Sequence, residues 1–233
     1  ETNSYLEKLG AKNIFHYGNI KFCVKIDIEK IKDINDELLK AKKYWCAAST
    51  HNGEEEFCIK AHLALRENLK NLLTIIVPRH INRSKKIKEI CDKYEISSQI
   101  LNHNEKIIET KEIIIINSFG VLPKYFKYAK SAFIGKSMVK ELEFDSGQNP
   151  IIAAKLGCKI YHGPFIYNFI EVYDFLNKNN ISKKISSVQE LSNSIIQDFK
   201  KDKKDNSKII ELMDNFGHET LDLTIKKIMS LIK

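Results

Sequence analysis

Three absences bound this chain before any of its motifs is considered. Its five cysteines, Cys23, Cys46, Cys58, Cys91 and Cys158, are scattered and include no CxxC pair. Neither a disulfide framework nor a thiolate zinc site is indicated, and reduced thiols in a cytoplasmic setting are the expectation. No run nears the roughly 20 apolar residues of a membrane-spanning helix. Glu1-Thr2-Asn3-Ser4 carries neither the basic nor the apolar region of a signal peptide. Arginine is scarce, with Arg66, Arg79 and Arg83 the only ones among 38 basic residues. A nucleic-acid binder concentrates arginine with interleaved aromatics. Here the formal charge of +8 comes from lysines spread through a chain rich in isoleucine and asparagine. Nucleic acid is therefore not the expected partner, whereas attraction to an anionic lipid surface needs only net positive charge.

What is present is 233 residues, 43% hydrophobic and 29% charged, enough for one good core or for one domain with an incomplete companion. Short apolar runs alternate with helical periodicities. Strands are predicted at 44–48, 72–77, 113–116, 131–134 and 159–161, with weaker ones at 13–17, 99–101 and 183–185. The runs Leu72-Leu73-Thr74-Ile75-Ile76-Val77 and Ile113-Ile114-Ile115-Ile116 are continuous, as in strands buried on both faces of a parallel sheet. Helices are expected over 2–10, 28–43, about 54–69, 84–94, 167–177 and 188–199, followed by a polar break at 200–206 and a closing amphipathic pair. The fold class that results is α/β, a Rossmann-like parallel sheet flanked by helices.

The stretch from Asp145 to Phe169 organises the rest. Asn149 is a good N-cap and Pro150 suits a first helical position, so a helix should open there with its free N–H groups facing a loop, a ready anion site. Gly157 should end that helix. In a parallel sheet the loops leaving the carboxyl ends of the strands share one rim. Those loops are Ser49-Thr50-His51-Asn52-Gly53-Glu54-Glu55, Pro78-Arg79-His80, the turn at Phe119-Gly120-Val121, and Gly147-Gln148-Asn149-Pro150. Arg79 offers a planar, permanently charged fork suited to phosphate, or else a surface ion pair. His51 and His80 read equally as helix-capping residues and as substrate contacts, and Glu54, Glu55 and Glu56 most simply as a favourable first helical turn. No metal site is expected.

Taken in this order, Ser-Thr-His-x-Gly-Glu-Glu, Pro-Arg-His and Gly-x-Asn-Pro resemble the donor-binding half of the bacterial 3-deoxy-D-manno-octulosonic acid (Kdo) transferases. The similarity runs from Leu9-Gly10-Ala11 to about Asn168-Phe169. The resemblance implies the C-terminal domain of a GT-B type glycosyltransferase that moves Kdo from CMP-Kdo to a lipid A precursor, peripherally at the cytoplasmic side of the inner membrane. It also implies that Pro78, Arg79, Phe119, Gly120, Val121, Asn149, Pro150, Ile151 and Ile152 contact CMP, with Ser49, Thr50, His51, His80 and Ser137 lining the donor pocket. No cofactor is implied. The family pattern has acidic residues at the positions of Val121 and Ile152, and neither side chain here can accept a hydrogen bond from a ribose hydroxyl.

The same resemblance divides the chain into 1–26 as the end of an N-terminal acceptor domain, 27–202 as the CMP-Kdo domain, and 203–233 as helices that would pack on the acceptor domain. There Phe216, Leu221 and Ile228 would present apolar faces to a partner. The family's general base belongs to the N-terminal domain and no residue here matches it. The chain is therefore expected to need an N-terminal partner for transfer, or else to be a non-catalytic remnant or interaction domain with the same fold.

Overall fold

The computed structural model describes residues 2–201 and 207–232. They form two compact units, one within Ile26–Ile210 and one made of the segments up to Lys25 and from Glu211 onward. The smaller unit opens with α1 (Thr2–Lys8). The larger contains α2 (Asp36–Ala41), β1 (Tyr44–Thr50), α3 (Glu54–Arg66), β2 (Leu73–Pro78), α4 (Ser84–Lys93), β3 (Ser98–Leu101) and β4 (Ile113–Ile116). It continues through α5 (Leu122–Phe126), β5 (Ser131–Ile134), α6 (Ile151–Lys155), β6 (Lys159–His162), α7 (Ile170–Lys178), β7 (Ser182–Lys184) and α8 (Val188–Lys200). Helix α9 (Ser207–Leu231) leads into the smaller unit. Among the described residues, no helix is long and apolar enough to cross a membrane.

The sheet has seven strands in the order β3-β4-β2-β1-β5-β6-β7, and every pairing is parallel. Its apolar runs are continuous because both faces are covered: Ile113 to Ile116, Ile75, Ile76 and Trp45 are at most 1% exposed. On one face, Ile59 and Leu65 of α3 and Leu191 and Ile195 of α8 join Trp45, Ile76 and Phe133 in one core cluster. A buried polar knot ties α8 to the sheet, the carboxylate of Asp198 accepting from the Tyr161 hydroxyl at 2.6 Å and from Ser131 Oγ at 2.8 Å.

Five expectations are corrected. Residues 13–17 form no strand. The helix expected over 28–43 is a 3-10 turn at Ile28–Lys30 and then α2, because Asp33 Oδ1 accepts from Asn35 N at 2.9 Å and makes a side-chain turn that interrupts the helical run. Helix α6 opens at Ile151 rather than Pro150.

The closing pair is the single helix α9, and Gly217 lies inside it as a packing residue: a Cβ there would stand 2.6 Å from the Phe22 carbonyl oxygen. In that smaller unit the Phe216 ring meets Phe22 edge-on at 4.9 Å, so Phe216 is not the open apolar face expected of it, whereas Ile228 is 51% exposed. Most of the expected polar break, residues 202–206, lies outside the described residues.

One fold-level constraint titrates. His62 is fully buried on α3, with Nδ1 2.8 Å from Thr74 Oγ1 and Nε2 3.6 Å from a Glu112 oxygen. Burial pushes its imidazole down to about 4 from 6.5, against the pull of Glu112. A histidine held neutral by burial stabilises the fold fully above pH 6.5, and that contribution is lost as pH falls toward 4. Urea titrations at successive pH values should show a loss on the order of 3 kcal/mol across that window. In His62→Gln the loss over the same window should be smaller, with His51 and His162, also lowered by burial, supplying what remains.

Candidate functional site

Strand β1 lies between β2 and β5. The chain leaves β1 toward β2, lays β3 and β4 beyond it, and returns to the other side of β1 as β5. That reversal is the topological switch of an open parallel sheet, and ligands bind outside the carboxyl ends of the strands at such a point.

The switch is closed by one buried carboxylate. Glu54, 1% exposed at the head of α3, accepts from the backbone N–H of His51 at 2.9 Å in the loop after β1. From the loop after β5 it accepts from the N–H groups of Lys136 at 2.7 Å, Ser137 at 2.8 Å and Met138 at 2.9 Å. The two loops approach so closely that a Cβ on Gly135 would stand 2.5 Å from the Ser49 carbonyl oxygen and 2.7 Å from Glu54 Oε2. The seam continues outward, since Gly147 N donates to Lys136 O at 2.6 Å and brings the turn before α6 onto the same rim. Ser137 is wholly buried, its hydroxyl donating to Ile134 O at 2.7 Å and accepting from Gly163 N at 2.9 Å.

Sequence reasoning passed over Glu54 and Glu55 as an acidic first turn. Glu55 is also buried and holds Arg83 through contacts of 2.9 and 3.1 Å. Desolvation raises its carboxyl above the ordinary value while Arg83 works the other way. The readable signal was three consecutive acids between Gly53 and Phe57 of an apolar helix, in a chain with only three arginines to pair them.

On the β2 side, Pro78 pairs with Thr50 across the sheet, and Arg79 N donates to Thr50 O at 3.0 Å. Arg66 pairs with Glu112 and Arg83 with Glu55, so Arg79 is the one arginine with no carboxylate partner among the described residues, and its side chain is exposed. His80 is exposed and its ring stands edge-on to His51 at 5.6 Å. His51 Nδ1 lies 3.1 Å from Ser49 O, and burial holds its imidazole below the ordinary value, with His80 and Lys136 lowering it further. Ser49 adopts a left-handed conformation, φ 55°, and the buried Thr50 hydroxyl has no hydrogen-bond partner.

Beyond β4, Phe119 is 68% exposed, Gly120 takes φ +73° and Val121 is nearly buried. Asn149 Oδ1 accepts from Ile151 N at 2.9 Å, Pro150 and Ile151 are buried, and Ile152 is half-buried. The N–H groups of Ile152 and Ala153 follow, without intrahelical acceptors. Arg79 follows β2 while the turn at Gly147 is held to the loop after β5, and those two strands lie about 10 Å apart across the sheet.

No protein-family model matches the chain. It is 32% identical to the 3-deoxy-D-manno-octulosonic acid transferase of Haemophilus influenzae over 162 residues, 68% of this chain and 37% of that protein. It is 26% identical to the protein of the same name from Aquifex aeolicus over 183 residues, 78% of this chain and 47% of that one. The solved C-terminal CMP-Kdo binding domain of WaaA from Acinetobacter baumannii superposes with a TM-score of 0.66 at 19% identity, over 87% of this chain and 99% of that domain. The chain is a homologue of the C-terminal half of the Kdo transferases. It spans less than half the length of these two curated Kdo transferases, and its larger unit has the fold of a GT-B C-terminal domain.

The Glu54 seam is testable in this domain. Glu54→Ala leaves four backbone donors without their acceptor. It should cost about 3 kcal/mol or more in urea denaturation. Gly135→Ala should destabilise the same junction by steric overlap, and wild-type stability in both variants would show that the seam does not hold the rim.

Proposed function

We propose that this chain carries the CMP-Kdo crevice of a Kdo transferase, with Arg79 on the phosphate. The observation that carries this reading is the exposed guanidinium of Arg79, left without a carboxylate partner at the rim of the switch point while the other two arginines are paired. Arginine in such a place matches phosphate geometry and keeps its charge at any working pH. On this reading Pro78 and Arg79, the Phe119-Gly120-Val121 turn, and Asn149, Pro150, Ile151 and Ile152 contact CMP. Ser49, Thr50, His51, His80 and Ser137 line or support the donor pocket.

Transfer to a lipid A precursor needs deprotonation of the acceptor hydroxyl in place. The carboxylates around the crevice are already engaged: Glu54 by four N–H groups, Glu55 by Arg83, and Asp145 by Lys136 at 2.6 Å. We therefore assign the base and the acceptor to an N-terminal domain such as the full-length relatives contain, and the setting to the cytoplasmic side of the bacterial inner membrane. Residues 27–202 then form the donor domain, with 1–26 and 203–233 belonging with the acceptor side.

A second reading, a non-catalytic domain that keeps the fold and has lost the ligand, is favoured by Val121 and Ile152, apolar where the resemblance expects acids. The two readings separate on nucleotide binding. Titration with CMP followed by amide NMR should shift the signals of Arg79, Gly120 and Ile152, and Arg79→Ala should weaken binding about tenfold. Ile152→Glu should tighten it by a similar factor through a ribose hydroxyl. Equal titrations for wild type and Arg79→Ala would remove the proposed phosphate site. Kdo transfer restored by a separately expressed N-terminal domain would exclude the non-catalytic reading.

A further inference from the structure

A concavity lies at the edge of the sheet opposite the crevice. A cavity of about 910 Å³ opens at the amino ends of β1, β2 and β4. Leu38 and Ile107 give it apolar walls, and Lys42, Lys43, Lys70 and Lys106 stand around it. These lysines come from three separate segments: the exit of α2, the turn before β2, and the crossover from β3 to β4. Lys42 Nζ reaches the Glu109 carbonyl at 3.4 Å, and Lys43, Lys70 and Lys106 have no carboxylate partner among the described residues. Glu37 and Glu109 also line the cavity, so its lining carries four lysines against two glutamates and the excess charge is positive.

The wall bearing Lys106 is held in place. Residues 102–112 cross from β3 to β4 with no helix or strand. Asn35, 5% exposed just before α2, grips this crossover, its Nδ2 donating to Glu105 O at 3.1 Å and its Oδ1 accepting from Ile107 N at 2.9 Å. Gln99 grips it from the other side, Nε2 donating to Lys106 O at 3.0 Å and Oε1 accepting from Ile108 N at 2.8 Å. An irregular segment fastened on both sides, beside a cavity in the size range of small-molecule sites, is a fixed wall.

We infer that this cavity binds a phosphate group carried on a short apolar stem, independently of the donor crevice. Lysine ammonium groups suit phosphate as point charges. The apolar walls suit a carbon chain more than inorganic phosphate alone. Such a group could come from a soluble phosphate ester or from an anionic lipid headgroup, and the test separates them.

The chain is titrated with n-butyl phosphate under amide NMR, and sedimented with phosphatidylglycerol vesicles against phosphatidylcholine controls. Shifts should appear at Lys43, Asn71 and Lys106, unchanged by Arg79→Ala. The triple variant Lys43→Ser, Lys70→Ser, Lys106→Ser should bind about tenfold or more weakly. A control triple at the exposed Lys85, Lys93 and Lys178 should bind as wild type. Shifts without vesicle retention support a soluble ester. Retention lost in the cavity triple alone supports a lipid headgroup. Equal losses in both triples, shifts confined to Arg79 and Ile152, or no binding to either probe would overturn the site.

Discussion

The rim of the sheet depends on a charge placed where charge is expensive. A carboxylate shielded from water is tolerated only when its oxygens are supplied with donors. Glu54 is supplied by the backbone of two loops more than eighty residues apart in the chain, which meet where the sheet changes direction. The requirement works in both directions. The carboxylate needs those N–H groups, and the loops, having ended their strands, need an acceptor. Gly135 follows from the same geometry, because the backbone of one loop occupies the space its side chain would fill. Through Lys136 the constraint reaches Gly147 and the Asn149 turn, so one side chain fixes both flanks of the crevice.

That dependence explains what could be read in the sequence and what could not. The strands at 72–77 and 113–116 were legible because burial on both faces writes itself as an unbroken apolar run. The loops beyond them were legible because parallel strands must deliver their exits to one edge. Glu54 was not, since a buried acid and an exposed first-turn acid look alike until the donors are known, and those donors come from a loop distant in sequence. The closing pair was not legible as one helix, because the glycine inside it, Gly217, is required by the approach of the Phe22 backbone, which lies far away in sequence. The run at 28–43 kept helical spacing, yet Asp33 and Asn35 turned the backbone locally, and a side-chain turn competes with helix without disturbing the apolar period.

The two edges of the sheet also divide the chemistry of the lysine-rich composition. At the carboxyl edge, positive groups stand close to backbone donors and histidines, and Lys136 is anchored to Asp145. At the amino edge, four lysines and two glutamates line a cavity with apolar walls, and Lys43, Lys70 and Lys106 have no carboxylate partner among the described residues. A net charge read as compositional drift therefore has a spatial pattern that no count of basic residues reveals.

The departures at Val121 and Ile152 bear differently on the crevice, and burial decides how. Val121 is 8% exposed, so an acid in its place would need donors supplied by a turn that now closes over an apolar side chain. Reversing that change alone would bury an unpaired charge. Ile152 is half-buried, in the first turn of α6, where the neighbouring N–H groups favour a negative charge. A carboxylate could return there without repacking. What remains without it is a set of donors: the Arg79 guanidinium, the first-turn N–H groups of α6 and the His51–His80 pair. Donors recognise phosphate, whereas acceptors are what distinguish one sugar hydroxyl from another. On the proposed reading, a crevice so composed would hold the anionic part of a nucleotide more firmly than it discriminates the ribose, and its affinity would be sensitive to salt because its charges lie at the surface.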